Sequence, residues 1–491
     1  MRKLFVSTTF PLYLILLVAL VLRIPLLTGS FWLDEAAQAL ESTRPLSQQL
    51  DIVADFQPPL LHLVTHFASY FSTAEWWLRT VGALIPGLVT IAFSYVLLLR
   101  AANKKTAIIG SLLLSTSSLH IYFSQELRPY ALPAMFAVIS WWALYEKRWR
   151  SFTASTILGL YSSYLFPFLL FSQLVWQLVV VKEKRREFFS SIALSAALFA
   201  PWLPMFFAQL QTGQLLRHDL PGWDTVVSVP QEKALQLVFA KFIFGLSDLS
   251  LSPTYLLIAG LIGLGIAFLC IHFWPKTPSK KRRLLALLLL WTGLPLLVGW
   301  LVSWIIPVIE PKRLLLSLAG FYGLAAYLSV LAAQQKSRAV AWTGHILIAT
   351  LLTLTIWSTT NYYTNAKLQR EDWRGSIAKI EQTYPTQDTV ALFIFPDPFA
   401  PWRWYADPKI KTLTTKTIFI TKDTQLRDLL EPTLDYTYLV VFDYLQDLTD
   451  PNRLVRAELE KFGFRETGSF STENLGFVRI FTNKQTMENN G

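Results

Sequence analysis

The chain is 491 residues long, 53% hydrophobic and 14% aromatic, with a mean hydropathy of +0.39. Only 16% of its residues are charged, against ~25% in soluble domains, and a single cysteine, Cys270, excludes an intramolecular disulfide. The net charge of +11 is uneven: residues 361–491 hold 16 basic and 18 acidic residues, leaving 28 basic and 15 acidic in the first 360. That excess sits in short clusters between apolar runs, the pattern of a polytopic membrane protein, and it argues against a nucleic-acid partner.

A helix needs ~20 apolar residues to cross the hydrocarbon core. Eleven runs meet or approach that length, roughly at 9–27, 77–99, 106–122, 130–145, 151–165, 166–181, 188–207, 252–274, 284–305, 314–333 and 340–358. The division between the fifth and sixth falls at Tyr164–Pro167. The first run follows Arg2 and Lys3, as in a signal peptide, but Arg23-Ile24-Pro25 follows it rather than a small-residue cleavage site, so it is read as a retained span.

Charge orients these spans. With the N-terminus inside, the inner loops carry 19 basic residues in very short stretches, and the opposite side carries nine before residue 361. The expected topology is therefore N-terminus cytoplasmic and tail extracytoplasmic, in the cell (inner) membrane.

Three outer segments are long. Residues 28–76 alternate apolar and polar residues with helical spacing. Ala36 and Leu40, then Leu60, Leu63 and Phe67, predict short helices lying in the interface. Residues 208–251 carry Pro221-Gly222-Trp223-Asp224 and predict an amphipathic helix over Gln231–Phe244. The third segment, 361–491, reads as a small α/β domain. Trp373–Tyr384 and Pro451–Phe462 predict helices, and Thr389–Phe395, Tyr436–Phe442 and Phe477–Phe481 predict strands. It has no Gly-rich phosphate loop and no metal-ligand spacing. The fold class is mainly α, a membrane helical bundle of about eleven spans (residues 1–360) with an extracytoplasmic α/β domain (361–491).

Ionisable residues at the membrane edge are costly and invite a functional reading. They group on the outer side: Asp34 and Glu35, then Glu126 and Arg128, then Glu310, Lys312 and Arg313. A carboxylate at a helix start is stabilised as an anion by the exposed N–H groups. Asp34 thus reads either as a helix cap or as a general base that draws a proton from an incoming hydroxyl. The tight turn Ser124-Gln125-Glu126-Leu127-Arg128-Pro129-Tyr130 puts a guanidinium at headgroup depth, suited to a phosphate, to snorkelling or to a pair with Glu126. Lys312 and Arg313 stand at the mouth of the tenth span, as phosphate ligands or as anchors. Gln57-Pro58-Pro59-Leu60 fixes the chain direction of the first loop. His62 and His66, four apart, lack a third ligand, so no metal site is expected.

The order of these motifs resembles the bacterial membrane glycosyltransferases of the GT-C superfamily. More narrowly, it resembles the family related to protein O-mannosyltransferases and the lipid A aminoarabinose transferase. Leu33-Asp34-Glu35, Gln57-Pro58-Pro59-Leu60, Ser124 to Tyr130 and Glu310-Pro311-Lys312-Arg313 carry the resemblance, and Glu371-Asp372-Trp373-Arg374-Gly375 is similar to the opening of the tail in many members. The resemblance implies transfer of a sugar, with inversion, from a polyprenyl-phosphate donor to an extracytoplasmic acceptor (protein, lipid or cell-envelope glycan), without a cofactor. By motif, Asp34 is implied as the base and Glu35 as its orienting partner. Arg128, Lys312 and Arg313 are implied as donor-phosphate ligands, and Gln57, His62, Glu126 and Tyr130 as substrate-binding residues. Two departures stand out. Gln57 replaces the histidine of His-Pro-Pro, and Lys312-Arg313-Leu314 replaces an arginine-tyrosine pair, which favours Arg313 at the phosphate. The competing reading is a transporter or polymerase of lipid-linked glycans, which would bind the same headgroups. The one-sided clustering of charge and the lack of an internal repeat disfavour it. A third reading, a non-catalytic scaffold presenting the tail, has no need of an acid at position 34.

Overall fold

The computed structural model describes residues 2–219, 230–247, 252–418, 420, 424–472 and 474–483. The Pro221–Asp224 motif lies outside the described residues. The chain divides into two compact units: Met1–Thr28, Arg44–Gln214 and Val227–Leu368 form the first, and Gly29–Thr43, Leu215–Val226 and Gln369–Gly491 the second.

The regular elements described in the first unit are all helices. In hydrocarbon a backbone must satisfy its own N–H and C=O groups, and an apolar run does so by closing into a helix. All eleven apolar runs are helical, and the chain is a multi-pass membrane protein. Among the described residues, six helices are long and apolar enough to cross a bilayer: Glu75–Ala101, Arg185–Leu215, Pro253–Lys276, Ser279–Val302, Leu315–Ala332 and Arg338–Thr364. Thr9–Val21, Ala131–Tyr145 and Phe166–Val181 are shorter apolar helices. The expected break at Tyr164–Pro167 is present, between a helix ending at Leu160 and one starting at Phe166. One expected span is itself broken: extended backbone at Ser117 (ψ 116°) separates Lys104–Thr116 from Ser118–Phe123. Gln231–Phe244 is helical as predicted.

Packing sorts the helices into inner and outer. Every residue of Leu318–Ala332 is buried, so this helix is the centre of the unit. Pro253–Lys276 is peripheral, with Leu257, Leu264 and Ile271 exposed, as a lipid-facing helix must be. Since lipid is as apolar as leucine, polar contacts supply part of the helix–helix specificity. Thr116 meets the Thr355 hydroxyl at 3.0 Å, Ser118 donates to Ser358 at 2.9 Å, and the Trp291 indole donates to the Leu316 carbonyl at 2.8 Å.

The second unit contains a five-stranded mixed sheet of order β2-β1-β3-β5-β4: β1 Thr389–Phe393, β2 Lys411–Thr414, β3 Tyr438–Phe442, β4 Phe464–Thr472 and β5 Gly476–Asn483. β1 runs parallel to β2 and β3, and β5 is antiparallel to β3 and β4. Side chains alternate across a strand, and both faces are covered. Ala391, Phe393, Val440 and Phe442 join Trp373, Ile377 and Ile380 on one face, while Val390, Leu392, Leu439 and Val441 join Val455 and Leu459 on the other. The helices Trp373–Thr383 and Leu454–Lys461 thus sandwich the sheet.

The first-loop helices differ from expectation in one respect. Leu33–Ser42 is a helix, but Ala36, Ala39 and Gln38 are buried in protein, so its apolar side does not lie on a membrane surface. Leu60–Ser69 is the second helix; Phe67 and Tyr70 on it are exposed.

Candidate functional site

In the first unit, three short connections carry the candidate residues. Pro58 and Pro59 set the direction of entry into Leu60–Ser69, with Pro59 at its N-cap, and Leu60 N–H bonds the Tyr161 carbonyl at 3.0 Å. Just upstream, Asp55 accepts from His62 Nε2 at 2.9 Å and also from the Gln57 amide. Gln57 Nε2 lies 2.9 Å from His62 Nε2, so the imidazole from the helix occupies the neighbourhood of the glutamine. Arg128 Nη1 reaches the other Asp55 oxygen at 3.9 Å. His62 is fully buried and the Asp55 side chain is 17% exposed. Burial by itself pushes the Asp55 carboxyl up, but the His62 hydrogen bond, the Arg128 charge and the Gln57 amide outweigh it and hold the group below its ordinary value. The loop backbone is pinned by Gln209, whose amide donates to the carbonyls of Ile52, Asp55 and Gln57 at 2.7, 2.8 and 3.1 Å.

The Ser124–Tyr130 turn is wound tightly. Arg128 N–H bonds the Glu126 carbonyl and Tyr130 N–H the Arg128 carbonyl, both at 2.8 Å. Gln125 anchors it, donating to the Arg23 carbonyl at 2.9 Å and accepting from the Tyr362 hydroxyl at 3.0 Å. Gly87 is required beneath it, since a Cβ there would stand 2.2 Å from the Ser124 hydroxyl. Glu126 and Tyr130 are buried.

The 307–314 connection completes this group. Ser303 Oγ accepts the N–H groups of Val308 and Ile309 at 3.2 and 2.8 Å, which folds the chain back over the helix end. Glu310 then pairs with Lys312 at 3.3 Å and Arg313 at 3.4 Å, and Arg313 donates to the Pro307 carbonyl at 2.8 Å. Lys312 feels the charges of Glu310, Arg313 and Glu126 as well as Tyr130, so this connection and the Ser124–Tyr130 turn are electrostatic neighbours. The membrane unit therefore brings Arg128 to the Asp55, Gln57 and His62 group, Lys312 to Glu126 and Tyr130, and Arg313 to Glu310. Arg128, Lys312 and Arg313 thus stand among the carboxylates of Asp55, Glu310 and Glu126.

Asp34 and Glu35 belong to the second unit. Their helix starts at Leu33 with Trp32 at the N-cap, so Asp34 sits in the first turn and is not itself the cap. Glu35 is fully buried and lies 3.7 Å from Arg370. The tail holds the segment leading into this helix. The Phe31 N–H donates to the Tyr405 hydroxyl at 2.8 Å, and the Arg374 N–H donates to Ser30 Oγ at 3.0 Å. Beside it, Glu371 accepts from the Trp373 indole at 2.6 Å and the Tyr444 hydroxyl at 2.9 Å.

Asp55 was missed by the sequence reading, because a lone aspartate in a polar loop carries no motif. Its spacing to His62, seven residues across a Pro-Pro corner, was the available signal. His66 turns elsewhere, to the Tyr70 hydroxyl at 3.0 Å.

No protein-family model matches the chain, and no curated protein matches its sequence. Solved structures do. ArnT from Cupriavidus metallidurans in the apo state aligns over 97% of this chain and 98% of its own, with a TM-score of 0.55 at 10% identity. The same protein bound to undecaprenyl phosphate gives a TM-score of 0.56 at 11% identity, over 96% and 98%. The archaeal oligosaccharyltransferase AglB from Archaeoglobus fulgidus, in complex with an inhibitory peptide and a dolichol-phosphate, covers 98% of this chain and 74% of its own, at 0.53 and 12%.

Proposed function

On the fold of the GT-C glycosyltransferases, which this chain has, we propose a membrane glycosyltransferase that moves a sugar from a polyprenyl-phosphate donor to an extracytoplasmic acceptor. The carrying observation is the convergence of Arg128, Lys312 and Arg313 on two connections at helix ends of a fold that in ArnT holds undecaprenyl phosphate. The basic residues of the opposite loops support the orientation, with the N-terminus cytoplasmic.

In this reading an acceptor hydroxyl attacks the anomeric carbon as its proton passes to Asp34. The bond from that carbon to the phosphate oxygen breaks, the configuration inverts, and polyprenyl phosphate leaves with the bonding electron pair. The three cations stabilise the charge growing on the leaving phosphate, a preorganised electrostatic role. Asp55, His62 and Gln57 hold Arg128 in place for it. Glu35, neutralised by Arg370, keeps the Asp34 helix turned one way.

The test is release of polyprenyl phosphate by purified protein in lipid, from a panel of radiolabelled polyprenyl-phosphate sugars with envelope extract as acceptor. Release by the native protein and none by Asp34→Asn is the expected result. Donor binding or crossing without release, from every sugar offered, would overturn the reading in favour of transport.

A further inference from the structure

Glu371 is not used by the chemistry above, yet its carboxyl group meets several donors. It receives the Trp373 indole N–H on one oxygen and the Tyr444 hydroxyl on the other. It also accepts the backbone N–H of Leu33, the first residue of the Asp34 helix. The N-cap residue of that helix, Trp32, makes no side-chain cap bond. A helix leaves its first N–H groups without intrahelical partners, and here one of them is met from residue 371. The platform is stiff: the Trp373 ring packs against Phe442 at 5.3 Å, Tyr444 at 5.2 Å and Phe399 at 5.9 Å, and Leu33 packs against the same cluster.

We propose that Glu371 is a positioning residue for Asp34, holding the first turn of the Leu33–Ser42 helix and, when ionised, adding negative potential at the Asp34 carboxylate. This rests on Asp34 being the base of the transfer. The titratable groups facing Glu371 are Asp34 from the helix and Tyr444 from the segment after β3, while the neighbouring Arg370 lies against Glu35. Burial first, and then the Asp34 charge, raise the Glu371 carboxyl to about 7 despite its three donors. The tail then has a role beyond presenting an acceptor, since it sets the geometry and field of the base through one side chain.

The experiment uses the full-length protein in lipid nanodiscs with Glu371→Gln, Glu371→Ala and Asp34→Asn, read by amide hydrogen exchange and by the pH profile of transfer. Glutamine preserves the clamp, because its carbonyl oxygen has two lone pairs for the Trp373 and Leu33 N–H groups and its amide donates to the Tyr444 oxygen. Glu371→Ala should raise exchange of the amides of 33–36 by roughly tenfold or more, leaving those of β1 and β3 unchanged. Glu371→Gln should keep exchange near native and lack the rise in transfer rate expected of the native protein around pH 7.

Unchanged exchange at 33–36 in Glu371→Ala would overturn the hold, and a native pH limb in Glu371→Gln would overturn the charge coupling. Full activity in Asp34→Asn would instead sink the underlying assignment of the base, while the exchange result would still report on the clamp. Should the alanine variant misfold, the glutamine variant decides alone.

Discussion

Asp55 in the membrane unit and Glu371 in the second unit are both largely withdrawn from water, and they respond in opposite directions. Asp55 is met by an imidazole, a guanidinium and an amide, and stays ionised below its ordinary range. Glu371 is met by three neutral donors and by a second carboxylate, and is raised to about 7. Neutral hydrogen bonds do not replace a counter-charge when a carboxylate is desolvated. The membrane unit thus keeps a permanently charged, paired lattice. The second unit keeps a carboxyl group whose charge changes near neutrality.

The largest effect that would break this contrast is at Asp34 itself. Asp34→Asn should lower transfer by about 1000-fold or more, measured as polyprenyl phosphate release, because no proton acceptor remains. Removing the paired carboxylate should hurt the fold rather than the chemistry. Asp55→Ala leaves Arg128 and His62 without their shared anion and should cost about 3–4 kcal/mol, read as loss of the denaturation midpoint in lipid or detergent. If Asp55→Ala is as stable as the native protein, the lattice is not holding charge.

The second unit sharpens the comparison through pH. The folded Glu371 carboxyl titrates at about 7 and its ordinary value is 4.5. Its contribution is therefore fully present below about pH 4.5 and is lost as pH rises through 7. The loss should amount to about 2–3 kcal/mol, seen as lower protection of the amides of 33–36 at pH 8 than at pH 5, with the difference abolished in Glu371→Gln. The smallest effect distinguishes the two cations of the 307–314 connection. Arg313→Ala should raise the KM for donor about tenfold, and Lys312→Ala less, since the guanidinium is fixed by Pro307 and suits a phosphate better.

Strands β1, β3 and β5 were legible because short β-branched and aromatic runs are buried on both faces. Strands β2 and β4 were not. They are the two edges of the sheet, and β4 after Phe464 alternates exposed and half-buried positions over a polar sequence that reads as a loop. The helix Ala400–Tyr405 was hidden by Pro401 and by its shortness. For the candidate residues, the acids and bases at helix ends were visible because each is costly where it lies. Their partners were not.

What the sequence by itself determined is the class of solvent each segment faces. Hydropathy and loop charge report transfer free energies that belong to individual residues and need no knowledge of neighbours. The apolar runs therefore became helices, and the tail became an α/β sheet. Only the tertiary structure decided which charges meet. Asp55 joins His62 and Arg128, and residues 29–43 join a unit that begins again at 369, more than 300 residues later. Such pairings depend on energies that fall as 1/r through a low-dielectric interior, and sequence separation carries no measure of r.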